Sequence, residues 1–180
     1  HDMVIAGGVN TNLTPESFVG FCKMGTLSAN GSFPFDERAD GFILGEGAGV
    51  LVLKRLKDAI REKDTILGVI KGIASSSDGK GKGIAAPDKE GQKLAFQRCH
   101  EKIKSEFSPG MVQFIEAHGT GTKVGDAVEM ETLRQVYDAG ASIGVSSIKS
   151  QIGHLLGAAG MAGMIKTLLA LNHQILPPNG

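Results

Sequence analysis

Apolar residues come in short runs divided by glycine, proline and polar clusters, and their period changes along the chain. Residues 3–8 are apolar and rich in β-branched side chains, which predicts a buried strand. Thr14-Pro15-Glu16 joins a capping hydroxyl to a proline suited to the first helical position, so a helix should run towards Lys23. Residues 30–45 carry Asn-Gly, proline and aspartate clusters and predict a loop. Residues 49–53 read as a strand, and 56–63 as a short amphipathic helix. A long β-favouring run covers 65–75; the polar stretch 75–87, broken by glycine and proline, should be an exposed loop. In 89–105, apolar positions such as Leu94, Ala95 and Ile103 recur at helical spacing. A strand at 111–117 precedes a helix at 126–137 with Val128, Leu133 and Val136 on one face. Another strand at 143–148 leads to a helix at 157–171, made of small apolar residues and expected to be buried on several sides. Strands alternating with helices predict an α/β fold with helix-covered sheets, and no internal repeat is evident.

Composition narrows the function classes. The chain has 180 residues, enough for one domain with a sizeable core. Its 19 basic and 19 acidic residues cancel, which gives no support to a nucleic-acid footprint. No apolar run approaches the roughly 18 residues of a membrane span. Two cysteines, Cys22 and Cys99, without C-x-x-C spacing argue against a disulfide scaffold or a structural zinc site, and no metal site is expected. With no charged leader before an apolar core, a reduced, cytoplasmic setting is expected. Asn12-Leu13-Thr14 and Asn30-Gly31-Ser32 match a glycosylation pattern that has no weight in that setting.

Glycine is abundant, at 26 residues, and gathers in short motifs where backbone must turn or approach closely. Two of these motifs contain histidine: Glu116-Ala117-His118-Gly119-Thr120-Gly121-Thr122 and Lys149-Ser150-Gln151-Ile152-Gly153-His154. Each follows a strand-like run, so each imidazole sits where regular backbone stops. Two imidazoles at strand ends suit a site that stabilises a developing oxyanion. Lys149 has small and apolar flanks that suggest partial burial, and a buried lysine needs a carboxylate partner; Glu129 is the candidate. Cys22 and Cys99 lie within predicted helices rather than on sharp turns, and read as packing or surface residues. Cys99-His100 is a poor dyad because helical neighbours point apart. Gly45-Glu46-Gly47-Ala48-Gly49 lacks dinucleotide spacing and precedes a strand. Gly79-Lys80-Gly81-Lys82-Gly83 lacks the phosphate-loop pattern and reads as a mobile surface loop with only a weak claim on an acidic carrier.

The two histidine motifs occur with Phe35-Asp36-Glu37-Arg38-Ala39-Asp40-Gly41-Phe42, with Gly45-Glu46-Gly47-Ala48-Gly49, with Gly125-Asp126 and Glu129, and with Gly153-His154-Leu155-Leu156-Gly157-Ala158-Ala159-Gly160. In this order and spacing, the chain resembles a β-ketoacyl synthase of the two-histidine elongating type. The resemblance implies the thiolase-like fold, two similar α/β halves layered α-β-α-β-α. Residues 1–63 would be the tail of the N-terminal half and 64–180 most of the C-terminal half. It implies decarboxylative Claisen condensation of an acyl thioester with malonyl carrier protein, in fatty-acid or polyketide assembly. His118, His154, Lys149 and Glu129 would belong to the catalytic network, and Thr120 and Thr122 would hydrogen-bond the phosphopantetheine arm of the carrier protein. No cofactor is expected to be covalently bound; the phosphopantetheine thioester arrives on the acyl carrier protein.

The family's nucleophilic cysteine lies upstream of the strand at 3–8, so the chain is expected to be an internal piece of a condensing domain, inactive by itself. A homodimer of the parent is implied. Thiolases share the fold but use a second cysteine in a C-x-G motif, which is absent. Two alternatives stay open: a relative that only decarboxylates because its nucleophile is replaced, and a non-catalytic partner protein that shapes a tunnel or dimer.

Overall fold

A computed structural model describes residues 1–79, 86–137 and 142–179. Four residues of the glycine-lysine motif, 80–83, therefore lie outside the described residues, as does part of the predicted 75–87 loop. The elements are β1 (Met3–Asn10), α1 (Pro15–Lys23), β2 (Gly47–Lys54), α2 (Leu56–Glu62), α3 (Lys89–Ile103), β3 (Phe114–Glu116), α4 (Lys123–Val136), β4 (Gly144–Ser146), α5 (Lys149–Ile152) and α6 (Ala159–His173). Among the described residues they make two sheets. β1 pairs antiparallel with β2, Gly8 opposite Gly49, and β3 pairs parallel with β4, Ile115 opposite Val145.

Helix α1 begins as its sequence predicts. The Thr14 hydroxyl accepts from the Ser17 amide, and Pro15 takes the first turn, where its missing N–H costs nothing. The β1–β2 ribbon is held by α6 and the turn before it. A side chain on Gly8 would meet the Gly157 carbonyl oxygen at 2.7 Å, and one on Gly49 would meet Met161 at 2.7 Å, so the bare backbone of both strands is what lets α6 approach. The strand at 3–8 was expected to be buried. It is covered on one face only, because period-two alternation sends Ile5, Val9, Val50 and Val52 to the other face, each at least 60% exposed. The helix at 157–171 departs in the same direction. It opens with a 3-10 turn at Leu156–Ala158, and within α6 only Ala159, Gly163 and Lys166 are buried, not several sides.

The β-favouring run 65–75 forms no strand. A strand exists through its ladder, and here α3 side chains take two of its carbonyls. Lys102 Nζ donates to Ile73 O at 2.8 Å and Arg98 Nη1 to Ser75 O at 2.8 Å. The strands at 111–117 and 143–148 shorten to the three-residue β3 and β4, and Pro109–Met111 winds into a 3-10 turn. Sequence also missed α5, the short helix that begins at Lys149.

The predicted loop 30–45 is a strap across the chemistry-bearing motifs. Gly41 N–H donates to Gly121 O at 2.9 Å, His154 N–H donates to Ile43 O at 2.7 Å, and Gly45 N–H donates to His154 O at 3.1 Å. Buried Asn10 anchors the strap, its amide donating to Gly45 O at 2.8 Å. Asn10→Ala removes that donor and leaves a buried carbonyl unsatisfied. The substitution should lower unfolding free energy by about 1–3 kcal/mol, read as a fall in the denaturant midpoint at unchanged slope.

Candidate active site

The site begins at the C-terminal end of β3. Past Ala117 the chain leaves the sheet and enters left-handed backbone at Gly119 (φ 41) and Gly121 (φ 76). A side chain at 119 would sit 2.7 Å from Ser147 Cβ and 2.8 Å from the Phe35 ring, so glycine is required by both conformation and space. Glu129, one helical turn after Asp126 on α4, fixes this turn. Its carboxylate accepts from the His118 amide at 2.7 Å and the Gly119 amide at 2.8 Å. Asp126, buried at the start of α4, accepts from Gly121 N–H at 3.1 Å and Phe35 N–H at 2.7 Å. Burial raises the Asp126 carboxyl above the usual carboxylate range, partly opposed by these amide donors.

Sequence expects Lys149 to pair with Glu129, but in the structure it does not. Among the described residues no carboxylate lies within ion-pair distance of Lys149, because Glu129 is committed to the two amides. The Lys149 ammonium donates instead to the His118 carbonyl at 2.5 Å. Ser147, fully buried, also donates its hydroxyl to the His118 and Gly119 carbonyls at 3.2 and 3.0 Å. The His118 peptide is thus held from both sides: Glu129 takes its N–H, and Lys149 and Ser147 take its C=O. Burial lowers the Lys149 pKa and Lys166 lowers it further, while Glu116, Glu129 and Asp126 oppose the shift.

His154 comes to the same place from the end of α5. Gly153 turns the chain in the left-handed region (φ 73), and a side chain there would meet Ile43 O at 2.8 Å. The two imidazoles stand edge to face with centroids 5.5 Å apart, and Phe42 also packs edge to face against His154 at 5.1 Å. Leu156 takes a left-handed conformation uncommon for leucine (φ 43), and its amide donates to His154 Nδ1 at 3.0 Å. An accepting Nδ1 carries no proton, so the neutral ring carries its proton on Nε2. Burial pushes the His154 pKa down to about 4, helped by the Lys149 charge and by that of His118 whenever that ring is protonated. Burial, then Lys149, also lowers His118, with Asp126 opposing. Both pKa values thus lie below the ordinary histidine value, which favours neutral rings at pH 7.

The structure therefore brings His118, His154, Lys149 and Glu129 together. Thr120 and Thr122 lie beside them, but their hydroxyls bond to each other at 3.0 Å. Asp126 and Ser147 are parts of the site that sequence reading left without a role. Asp126 was visible in the Gly125-Asp126 motif, whereas Ser147 gave no signal beyond being a small residue two positions before a lysine. Cys22 is exposed on α1, and Cys99 is half-buried on α3. Among the described residues no His, Cys, Asp and Glu group is arranged to hold a metal, and no helix is long and apolar enough to cross a membrane.

Lys149→Met removes the positive charge that disfavours both imidazolium ions. Side-chain NMR titration should show the pKa values of His118 and His154 rising, yet staying below the ordinary histidine value of 6.5, because burial is the larger cause. Unchanged histidine titrations would show that the lysine does not act on the rings.

The N-terminal domain model of the β-ketoacyl synthases matches residues 1–59, and their C-terminal domain model matches residues 67–180. Polyketide synthase PksL of Bacillus subtilis is 44% identical over 98% of this chain, which covers 4% of that protein. A phenolphthiocerol/phthiocerol polyketide synthase of Mycobacterium tuberculosis is 42% identical over 99% of the chain, which covers 12% of that protein. Among solved structures, the ketosynthase from module 6 of the bacillaene synthase of Bacillus subtilis superposes with a TM-score of 0.93 at 42% identity. The chain spans 32% of it. The oxazolomycin ketosynthase domain OzmH KS7 of Streptomyces albus superposes with a TM-score of 0.94 at 36% identity, and the chain spans 31% of it. The architecture is thus that of the thiolase-like fold, in a stretch about a third as long as a solved ketosynthase chain. With both of the family's domain models matched along its length, the chain belongs to the β-ketoacyl synthase family.

Proposed function

We propose that this chain supplies the two-histidine part of a polyketide ketosynthase that carries out decarboxylative Claisen condensation. The observation that carries the reading is the convergence of two imidazoles, one of which accepts from the Leu156 amide at Nδ1, so that its neutral form presents Nε2–H. A malonyl thioester bound there loses carbon dioxide. The electron pair of the broken C–C bond stays on the thioester fragment as an enolate. Its oxygen accepts hydrogen bonds from the imidazole N–H groups, which strengthen as negative charge grows. The enolate carbon then attacks an acyl thioester on the enzyme, the new C–C bond forms, and the cysteine thiolate leaves. Neutral rings matter, since an imidazolium would bind the malonyl carboxylate in the ground state and oppose its departure.

Each neighbour has a role in this reading. Glu129 and Lys149 hold the His118 peptide, and the Lys149 charge adds to burial in disfavouring protonation of the rings. Thr120 and Thr122 would exchange their mutual hydrogen bond for one to the phosphopantetheine arm. Cys22 and Cys99 sit on helices, and neither adjoins the histidines. The acyl-accepting cysteine is assigned to the part of the ketosynthase domain that the relatives have outside the matched stretch. We divide the chain at 63/64 between the two halves of the fold. An acyl carrier protein, malonyl and acyl thioesters and a second copy of the parent are the partners that this reading requires. The cytoplasm, where those thioesters are made, is its setting.

In the full-length protein, His118→Ala and His154→Ala should each lower the rate of malonyl-carrier decarboxylation by about 100- to 1000-fold, the usual cost of one oxyanion donor. The KM for the carrier should change little. Carbon dioxide release from labelled malonyl-carrier measures it directly. Near wild-type release in both variants would overturn the assignment.

A further inference from the structure

A second charged cluster lies directly behind the site and plays no part in the mechanism above. Glu116, the last residue of β3, and Lys166, in the middle of α6, form an ion pair at 2.8 Å. Their side chains are only 11% and 6% exposed. Lys166 Nζ also donates to Ser146 Oγ at 2.6 Å. The other carboxylate oxygen of Glu116 accepts from the Ile148 amide at 2.6 Å, and Ser146 Oγ lies 3.3 Å from the paired oxygen. Gly163 makes room for this on α6, since a side chain there would meet Glu116 Cγ at 3.0 Å.

The partners of the pair are chosen by position. Ser146 ends β4, Ile148 precedes α5, and Lys149 opens α5. The pair therefore clamps the segment that delivers the Lys149 ammonium, just as Glu129 clamps the segment that delivers His118. A buried ion pair adds little net stability, because desolvation of both charges offsets their attraction. Its use has to be sought in what it orients.

We propose that Glu116 and Lys166 are a positioning pair for Lys149: they fix the β4–α5 junction so that its ammonium stays on the His118 carbonyl, and their charges set the field in which it sits. This rests on the proposed condensing role of the site. Among the described residues, Glu116 on β3, Asp126 and Glu129 on α4 and Lys166 on α6 act on Lys149, and His118 and His154 are the titratable rings on which Lys149 acts in turn. Of these, Glu116 and Lys166 push it in opposite directions, Glu116 favouring the ammonium and Lys166 opposing it.

The opposition gives a test that loss of packing cannot imitate. In the full-length protein, Glu116→Gln and Lys166→Met should each lower kcat for decarboxylation by about 10- to 100-fold with little change in KM, as for a displaced catalytic group. Isotope-edited NMR of lysine, with Lys149→Met for assignment, reads the ammonium directly. Its titration should move to lower pH in Glu116→Gln and to higher pH in Lys166→Met. In the double variant, where both charges are gone, it should return towards the wild-type position. Titrations that do not move, or that move the same way in both single variants, would overturn the pair's role. A wild-type protein that neither decarboxylates nor condenses would instead overturn the function proposed above, and the Lys149 titrations would still decide on the pair.

Discussion

The strap at 41–45 is the constraint on which the rest of the site depends. Its backbone bonds to Gly121 on one side and to His154 on the other, so two loops from different strands are brought to a common distance. Backbone contacts of this kind tolerate no side chain in the way, which is why glycine recurs at 41, 45, 121 and 153. Asn10 ties the same strap to the end of β1, so the β1–β2 ribbon and the histidine turns form one connected body. The glycine-rich motifs are thus parts of one joint, with His118 and His154 as its two free ends.

Charge is distributed around that joint by a simple rule. Carboxylates are spent on backbone amides: Glu129 on 118 and 119, Asp126 on 121 and 35, Glu116 on 148. Cations are spent on carbonyl and hydroxyl oxygens: Lys149 on His118 O, Lys166 on Ser146 Oγ. Of these five groups, Glu116 and Lys166 alone meet each other directly. Among the described residues, neither imidazole has a carboxylate partner. In the familiar hydrolase arrangement an acidic group orients a histidine and stabilises its cationic form. Here a backbone amide occupies Nδ1 of His154 and a nearby lysine opposes protonation. A ring so placed is a hydrogen-bond donor and a poor base, as stabilising an enolate oxygen requires.

Much of this was legible in the sequence. His118, Lys149 and His154 stood out because glycine-flanked motifs declare a backbone that must turn, and α1 was marked by its Thr14-Pro15 start. What failed did so for identifiable reasons. Glu129 was assigned to Lys149 because opposite charges attract on paper; in the fold the amides of the His118 turn lie closer to it. Residues 65–75 have strand propensity but no ladder, and local sequence says nothing about who the neighbour will be. The run 3–8 was apolar on both faces, and sequence could not tell that one face has no cover among the described residues. Glu116 and Lys166 are fifty positions apart, one at a strand end and one inside an apolar helix, and neither announces the other.

The claim that carries the account is that His154 meets substrate as a neutral donor through Nε2. The nitrogen-15 chemical shifts of its ring in the full-length protein near pH 7 test this directly. The structure predicts a neutral imidazole with a protonated Nε2 and a bare, hydrogen-bonded Nδ1. A proton on Nδ1, or an imidazolium at that pH, would contradict the Leu156 contact and with it the assignment of the ring as an oxyanion donor.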